Sequence, residues 1–282
     1  MACGDAVGAP AEFKARGTFD FISEMPPEGH WTDDTAMAIC LANSLIEKKG
    51  FDAEDQMDKY ARWAHGEYIA PDTRGHIGLQ TSAVISQWSR VGGDPIRFAS
   101  REDRKSGNGS LMRLTPAPMY FYGNLDEAMK NAGLSSMITH GSRTCIESCI
   151  IYAEAIHRAL TGATKEEILA TPSEGEELIT PDLQTIIKGE YKNKHSRDIK
   201  SSGYVVHSLE ASLWSFHKSN SFKEAILIAT NLGDDADTTA AITGMLAGAY
   251  YGFESIPDDW KRNLNEGQMI VDTADKLLGD KK

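Results

Sequence analysis

The sequence lacks any apolar run that approaches the roughly twenty residues a membrane-spanning helix needs. Its N-terminus also lacks the basic region and apolar core of a signal peptide, so we expect a cytoplasmic protein. Basic residues are the minority among charged ones, with 29 Lys and Arg against 41 Asp and Glu and a formal charge of -12. This balance argues against general binding to nucleic-acid phosphates, although one local pocket can still hold a nucleotide-like ligand.

Cysteine is also scarce, and no cluster of His and Cys suggests a zinc site. The four cysteines are Cys3, Cys40, Cys145 and Cys149, and their spacing is not that of a zinc ribbon. Cys145 and Cys149 would lie on the same face of one helix. We interpret all four as small apolar thiols in a reducing compartment rather than as disulfide partners.

Period-2 alternation, the pattern of a half-buried strand, is almost absent, whereas helical periodicity recurs along the chain. The predicted helices cover residues 32–48, 51–65, 81–91, 126–138, 142–160, 165–170, 206–218, 222–232, 237–251 and 263–278. Short turn segments rich in Gly, Asn and Pro separate them. These patterns predict an all-α protein with a single domain over residues 1–282.

Two segments lack helical periodicity. Residues 14–29 contain several glycines and prolines that break a helix, so we expect a loop there. Residues 171–203 combine prolines with a charged run and predict an irregular surface excursion or a lid. Long irregular segments in compact domains are often functional.

The first group of residues suited to chemistry is Thr32-Asp33-Asp34-Thr35, at the start of a predicted helix. Thr and Asp are favoured N-caps, and acids in the first turn complement the helix dipole. Two adjacent acids before a mostly apolar helix exceed what capping requires. Capping and ligand binding therefore both stay open for this cluster.

The second group is Asp234-Asp235-Ala236-Asp237-Thr238-Thr239, directly before a helix that is dense in Ala and Gly. Small residues on most faces predict a central helix that its neighbours approach closely, so its N-terminus should lie inside the molecule. Buried carboxylates repel one another and resist ionisation unless a cation compensates them. Capping needs only one such residue, and the interpretation shifts towards a cation site.

Carboxylates and threonine hydroxyls are hard oxygen ligands. They suit Mg²⁺ or Mn²⁺ better than zinc. Adjacent Asp33 and Asp34, and the closely spaced Asp235 and Asp237, could each direct two carboxylates towards neighbouring ions. A two-metal site is therefore reasonable.

Three further features are weaker on their own. The segment Ser106-Gly107-Asn108-Gly109-Ser110-Leu111-Met112-Arg113 offers bare main-chain N–H groups before an apolar helical turn, which suits a phosphate; the alternative is a tight turn capped by Ser. Glu12 follows the glycine-rich segment Gly4-Asp5-Ala6-Val7-Gly8 and could be an ordinary surface acid. His140 lies at a helix boundary and could be a simple cap.

Taken together and in this order, these segments resemble the ADP-ribosylglycohydrolase family, which includes dinitrogenase reductase-activating glycohydrolase. The resemblance spans nearly the whole chain, and two Asp motifs about two hundred residues apart make it specific. The matching motifs are Gly4-Asp5-Ala6-Val7-Gly8-Ala9-Pro10 with Glu12 and Phe13, Thr32-Asp33-Asp34-Thr35, Gly107-Asn108-Gly109-Ser110-Leu111-Met112-Arg113, Thr139-His140, and Gly233-Asp234-Asp235-Ala236-Asp237-Thr238.

The resemblance implies a compact single-domain orthogonal helical bundle with two Mg²⁺ or Mn²⁺ ions in a central cleft. The implied activity is hydrolysis at ribose C1″, which releases ADP-ribose from a modified protein side chain such as arginine or serine, and we expect a monomer. Asp234 is expected to cap its helix or to stand behind the metal ligands. The implied metal ligands are Thr32, Asp33, Asp34, Asp235, Asp237 and Thr238.

The same resemblance implies roles in substrate binding and catalysis. Glu12 would assist acid–base chemistry or gate the cleft, and it joins Asp34 and Asp235 as an implied catalytic residue. The residues implied to bind ADP-ribose are Gly107, Asn108, Gly109, Ser110, Leu111, Met112 and His140.

The chain departs from the family pattern in two places. Family members usually carry a further helix before the motif that begins here at Gly4, and many read Asp-Ile-Gly where this chain has His76-Ile77-Gly78. The second departure bears on activity toward ADP-ribosyl-arginine more than on the metal site. Two alternatives stay open: a hydrolase of an ADP-ribosylated base or small metabolite, and a catalytically silent ADP-ribose-binding or structural relative. The crowded acids favour an enzyme.

Overall fold

The computed structural model describes residues 1–69, 73–170 and 180–279, and these residues form α-helices, short 3₁₀ turns and loops. In this part of the chain the only strand-like pairings are isolated bridges such as Lys14 with Asp234. The prediction of an all-α fold is therefore confirmed. The helices are α1 Ala2–Gly8, α2 Asp33–Lys48, α3 Ala53–Ala64, α4 Leu79–Val91, α5 Pro116–Tyr120, α6 Leu125–Met137, α7 Arg143–Leu160, α8 Lys165–Ile168, α9 Gln184–Ile187, α10 Val205–Lys218, α11 Phe222–Thr230, α12 Ala236–Tyr251, α13 Asp258–Asn263 and α14 Gly267–Leu278.

Helix α12 lies at the centre and packs against α1, α7, α10 and α11. Small residues permit this contact: a Cβ on Gly4 would lie 2.2 Å from the carbonyl oxygen of Ala240, and one on Gly8 would lie 2.4 Å from Cα of Asp237. The α1 main chain therefore rests directly on the first turns of α12. The predicted burial of the α12 N-terminus is observed, since Asp237 and Thr238 are both buried.

Helix α2 begins at Asp33 and packs against α3, α5 and α14. Its contact with α1 brings the start of α2 beside the start of α12. Most buried apolar side chains of the described residues belong to one continuous cluster, and a smaller cluster around Leu41 and Leu45 lies where α2 meets α14. Two acid-bearing helix starts thus face one another at the edge of the main core.

Several short helices are not apparent from the sequence pattern, namely α1, α5, α9 and α13. Each is too short to show a full apolar stripe, so packing rather than periodicity stabilises it. The last predicted helix was expected from residue 263, but α14 begins only at Gly267 because Glu266 adopts a left-handed conformation with φ of 52°.

The two irregular segments lie close together. Residues 14–29 contain no helix, as predicted. Arg16 from this loop donates hydrogen bonds to the carbonyl oxygens of Leu232, Ser196 and Ile199. The excursion predicted over residues 171–203 falls partly on 171–179, which lie outside the described residues, and its remainder contains α9 and short 3₁₀ turns. Among the described helices, none combines the length and apolarity that crossing a bilayer requires.

Candidate active site

A cleft of about 600 Å³ opens where the starts of α2, α4 and α12 approach two loops. One loop, called the glycine loop below, contains Gly107, Asn108 and Gly109, and the other contains Ser202 and Gly203. Asp33, Asp235, Asp237 and Thr238 line its floor, whereas Thr32 and Asp34 are buried just beneath these lining residues. The two Asp/Thr motifs predicted to bind metal therefore do meet, although about two hundred residues separate them.

Threonine hydroxyls and carboxylates interleave beneath the cleft. Oγ1 of Thr32 lies 3.2 Å from Oδ2 of Asp34 and 3.4 Å from Oδ2 of Asp237. Oγ1 of Thr238 lies 3.3 Å from the same oxygen of Asp34. Both hydroxyls thus converge on Asp34, so this carboxylate is the centre of the arrangement.

The four aspartates that meet here, called the acid cluster below, are Asp33, Asp34, Asp235 and Asp237. Burial, followed by repulsion from nearby carboxylates, raises the pKa of Asp33, Asp34 and Asp237 well above the usual range. Burial also raises the pKa of Asp235, although hydrogen bonds to its carboxylate partly oppose the rise. Without a bound cation, the carboxyl groups of the acid cluster therefore ionise less readily than free aspartates do.

Two oxygens of the acid cluster are buried without any hydrogen-bond partner, namely Oδ1 of Asp34 and Oδ1 of Asp237. A buried carboxylate oxygen without a partner is costly, and a hard divalent cation would supply both the missing contact and the missing positive charge. No three His, Cys, Asp or Glu side chains among the described residues converge tightly enough to hold an ion alone. Threonine hydroxyls, main-chain oxygens or water would have to complete the shell.

Asp235 differs from Asp34 and Asp237 because its side-chain partner is an amide group rather than a threonine hydroxyl. Nδ2 of Asn108 donates a hydrogen bond of 2.7 Å to Oδ2 of Asp235, and Nδ2 also contacts the hydroxyl of Ser208 at 2.9 Å. Asn108 from the glycine loop is thereby tied to the start of α12. The loop implied to bind ADP-ribose and the motif implied to bind metal are physically linked.

Asp234 lines the cleft but is not among the residues whose side chains interleave beneath it. Its side chain is exposed and its main chain is left-handed, with φ of 54°. The residue pairs through its main chain, since its N–H donates to Lys14 and its carbonyl accepts from Phe13. Its suggested capping role is not observed, because the cap position of α12 is Asp235, which makes no side-chain cap bond.

Capping also fails to explain the first motif, because Thr32 makes no side-chain cap bond to α2. Asp5 from α1 supplies the cap instead. Its carboxylate accepts hydrogen bonds from the N–H of Thr32 at 2.9 Å, the N–H of Thr35 at 3.1 Å and the hydroxyl of Thr35 at 2.6 Å. Burial raises the pKa of Asp5 to about 6. Because Asp5 caps α2 from the neighbouring helix α1, Asp33 and Asp34 are not needed as caps. Sequence spacing did not reveal this role of Asp5.

The segment around Gly107 forms consecutive turns, which include a single helical turn closed by the Met112 N–H and the Asn108 carbonyl, and the next helix, α5, begins at Pro116. The N–H groups of Leu111 and Met112 both donate to the carbonyl of Asn108. In the described structure the N–H groups of Gly109 and Ser110 have no main-chain partner. The N–H of Gly107 likewise has no main-chain partner there, so at least three N–H groups of this segment lack a main-chain acceptor.

The residues implied to bind ADP-ribose divide into two groups. Gly107, Asn108, Gly109, Met112 and His140 line the cleft. Leu111 is fully buried in the apolar core, and the hydroxyl of Ser110 accepts hydrogen bonds from Ser136 at 2.8 Å and from Cys149 at 3.6 Å. Leu111 and Ser110 could reach a ligand only through the main chain.

Glu12 faces the cleft from the loop after α1, and its side chain is 10% exposed. Burial raises the pKa of Glu12, and the neighbouring His76 partly opposes this rise. Phe13 beside it is left-handed, with φ of 60°, and its side chain is 82% exposed at the cleft. Glu12 and Phe13 therefore present an acid and an aromatic ring to the same cavity.

Comparison with known proteins agrees with this geometry. A family model described as ADP-ribosylglycohydrolase matches residues 1–282. The chain is 38% identical to an ADP-ribosylarginine hydrolase, Tri1, of Pseudomonas putida (strain GB-1), over 99% of this chain and 76% of the relative. It is 27% identical to the ADP-ribosyl-[dinitrogen reductase] glycohydrolase of Rhodospirillum rubrum, over 99% of this chain and 92% of the relative.

The fold also matches a solved structure. A chain from an ADP-ribosylglycohydrolase-related protein complex superposes with a TM-score of 0.85 and is 36% identical. The match covers 98% of this chain and 93% of that chain. Sequence and fold thus point to the same group of proteins.

Proposed function

Because the chain belongs to the ADP-ribosylglycohydrolase family, we propose that it is a metal-dependent hydrolase that releases ADP-ribose from an ADP-ribosylated protein by cleaving the bond at ribose C1″. The unpartnered buried oxygens of Asp34 and Asp237 carry this proposal. A divalent cation bound by the acid cluster would supply the contacts that these oxygens lack. A catalytically silent relative would have no need for such unpartnered carboxylates.

The proposed ions are two Mg²⁺ or Mn²⁺. Thr32, Asp33, Asp34, Asp235, Asp237 and Thr238 would hold them. Bound ions of this kind supply charge stabilisation at sugar hydroxyls and lower the pKa of water. Asn108 fixes the orientation of Asp235 through its 2.7 Å hydrogen bond. Asp34 and Asp235 would contribute to catalysis by holding these ions in place.

The remaining residues of the cleft would bind the substrate and move a proton. Gly107, Gly109, Met112 and His140 line the cavity that would receive ADP-ribose. Glu12 lines the cleft and has one side-chain hydrogen-bond partner among the described residues, His76, and burial raises its pKa. A carboxyl with a raised pKa is suited to exchange a proton with the leaving group or with water.

Arginine is the acceptor that we propose, because the relative from Pseudomonas putida is an ADP-ribosylarginine hydrolase and is 38% identical over nearly the whole chain. Serine, an ADP-ribosylated base and a small ADP-ribosylated metabolite are the alternatives. The acceptor part would leave through the opening beside Glu12 and Phe13.

Defined substrates test this proposal. ADP-ribosyl-arginine peptide, ADP-ribosyl-serine peptide and an ADP-ribosylated base are incubated with Mg²⁺, with Mn²⁺ or with a chelator, and released ADP-ribose is quantified. We expect release from the arginine peptide only when a divalent cation is present. Release of ADP-ribose from only one of the other substrates would show that the acceptor is that substrate's group and not arginine. No release from any substrate, together with measurable ADP-ribose binding by calorimetry, would overturn the enzyme proposal in favour of a silent binding protein.

A further inference from the structure

Arg113 is fully buried directly beneath the glycine loop, and its guanidinium has no carboxylate partner among the described residues. Its two terminal nitrogens donate hydrogen bonds to the carbonyl of Gly109 at 3.0 Å, the carbonyl of Ser135 at 3.1 Å and the hydroxyl oxygen of Thr139 at 2.7 Å. The guanidinium also lies 4.7 Å from the ring centroid of Tyr60. Burial of a charge without a counter-charge costs free energy. The three hydrogen bonds and the contact with the Tyr60 ring therefore fix the orientation of the guanidinium.

The hydroxyl of Thr139 lies between Arg113 and His140. Its oxygen accepts from Arg113, and it lies 2.8 Å from Nδ1 of His140. Thr139 is fully buried, and its hydroxyl hydrogen has no other acceptor among the described residues. Since a hydroxyl carries only one hydrogen, a protonated Nδ1 would leave that hydrogen without a partner in the interior. Nδ1 must therefore accept, and the ring proton must lie on Nε2.

The Nε2 edge of His140 faces the glycine loop at the cleft. A Cβ on Gly109 would lie 3.0 Å from Nε2, and a Cβ on Gly107 would lie 3.4 Å from the same atom. His140 is only 2% exposed and lines the cleft, and Nε2 has no hydrogen-bond partner among the described residues. An N–H donor is thus left unsatisfied at the surface that would receive the ligand.

We propose that Arg113 and Thr139 are positioning residues that lock His140 in its neutral Nε2–H tautomer, so that the cleft presents a neutral hydrogen-bond donor to an oxygen atom of the ligand. This inference rests on the proposed function for the identity of that ligand, ADP-ribose. It adds that the atom opposite His140 must be an acceptor, and that the imidazole neither removes a proton from the ligand nor carries charge.

The tautomer can be measured without any catalytic assay. Protein labelled with ¹⁵N at histidine is recorded by long-range ¹H–¹⁵N correlation, and His140 is assigned by the signals lost in His140→Gln. We expect the wild type to show an unprotonated Nδ1 and a protonated Nε2. Signals of the opposite tautomer, or of the imidazolium, at neutral pH would overturn the proposal, whatever the protein hydrolyses.

Variants of Thr139 test the positioning role. Thr139→Val removes the hydroxyl and should yield a mixture of tautomers, with ADP-ribose binding about three- to tenfold weaker by calorimetry. Thr139→Ser should restore both the Nε2–H tautomer and the affinity for ADP-ribose. The matched control is Thr230→Val, because the buried hydroxyl of Thr230 has no hydrogen-bond partner in the described part of the chain; it should leave tautomer and affinity unchanged. A Thr139→Val protein with wild-type tautomer and affinity would contradict the proposal.

The same titration separates the two proposals. Adding ADP-ribose to the wild type should shift the Nε2 signal of His140, since a new hydrogen bond forms there. If ADP-ribose does not bind at all while the Nε2–H tautomer is observed, the proposed ligand is wrong and the locked tautomer stands. If ADP-ribose binds and Nδ1 carries the proton, the locked tautomer is wrong and the proposed function stands.

Discussion

Nδ1 of His76 lies 2.9 Å from Oε2 of Glu12, and this contact joins two segments that line the same cleft. It is the only side-chain hydrogen bond of the Glu12 carboxylate in the described structure. His76 is therefore a partner of Glu12 in this chain and not merely a missing acid.

The first prediction concerns Glu12 itself. Glu12→Gln keeps the size of the side chain but removes its capacity to exchange a proton, so kcat should fall by about 10²-fold or more. Affinity for ADP-ribose should change little. Steady-state kinetics on the arginine substrate and calorimetry with ADP-ribose measure the two effects separately. Loss of affinity with unchanged kcat would make Glu12 a binding residue.

The second prediction concerns its partner. His76→Ala removes the only side-chain hydrogen bond that the described residues make to the Glu12 carboxylate, and kcat should fall about three- to tenfold while the Kd for ADP-ribose stays nearly constant. His76→Asn should recover part of the rate, because its amide N–H is attached at the position equivalent to Nδ1. Equal losses in His76→Ala and His76→Asn would show that the hydrogen bond does not matter.

The third prediction concerns the acid cluster. Asp34→Asn removes one buried, repelling charge at constant size, so the metal-free protein should keep its Tm or gain stability. Mn²⁺ should stabilise the wild type by about 2.7 kcal/mol at a hundred times its Kd, and this gain should largely disappear in the variant together with turnover. Thermal unfolding with chelator and with Mn²⁺ measures both effects.

The exposed acid Asp272 provides the control for that experiment, since Asp272→Asn on α14 should retain the full response to Mn²⁺. If Asp34→Asn and Asp272→Asn respond equally, the cations bind elsewhere and the proposed ligand set is wrong.

The fourth prediction concerns pH. Burial, followed by the charge of Arg113, lowers the pKa of His140 to about 3. The unfolded chain protonates this ring near pH 6.5, so its contribution to stability is full above pH 6.5 and is lost as pH falls towards 3. The loss approaches about 1.4 kcal/mol per pH unit. The acid cluster contributes a pH dependence of opposite sign, because its raised pKa values stabilise the folded state as the pH falls.

Comparison with a variant separates the two contributions. Unfolding by urea at pH 7.5, 6.5 and 5 should show that the stability of the wild type falls relative to His140→Gln by about 1–2 kcal/mol between pH 6.5 and 5. A difference that does not change with pH would mean that the folded protein protonates His140 as readily as the unfolded chain does.

The sequence predicted those parts of the site that depend on local pattern. Helical periodicity identified α2 and α12, and the crowding of acids before small residues identified the acid cluster. The capping role of Asp5 could not be predicted because its partners Thr32 and Thr35 are distant in the sequence, and only the packing of α1 brings them together. The link between Arg113 and His140 could not be predicted for the same reason. The spacing of motifs indicates which residues belong to the site. It does not indicate which hydrogen bonds those residues form.

The last prediction concerns the packing that brings the two helix starts together. A methyl group on Gly8 would lie 2.4 Å from Cα of Asp237 and 2.6 Å from the carbonyl oxygen of Ala236, and neither main-chain atom can move without displacing the start of α12. Gly8→Ala should therefore cost about 1–3 kcal/mol of unfolding free energy. It should also weaken the stabilisation by Mn²⁺, because Asp237 shifts away from Asp34.

Gly248 on the same helix α12 provides the matched control. A Cβ at Gly248 would meet only the ring of Phe222, at 3.8 Å, which is an ordinary contact. Gly248→Ala should raise stability by about 0.5–1 kcal/mol, because alanine favours the helix, and it should leave the response to Mn²⁺ intact. Urea unfolding and Mn²⁺-dependent Tm of both variants decide the matter. If Gly8→Ala behaves like Gly248→Ala, the close contact between α1 and α12 does not position the acid cluster.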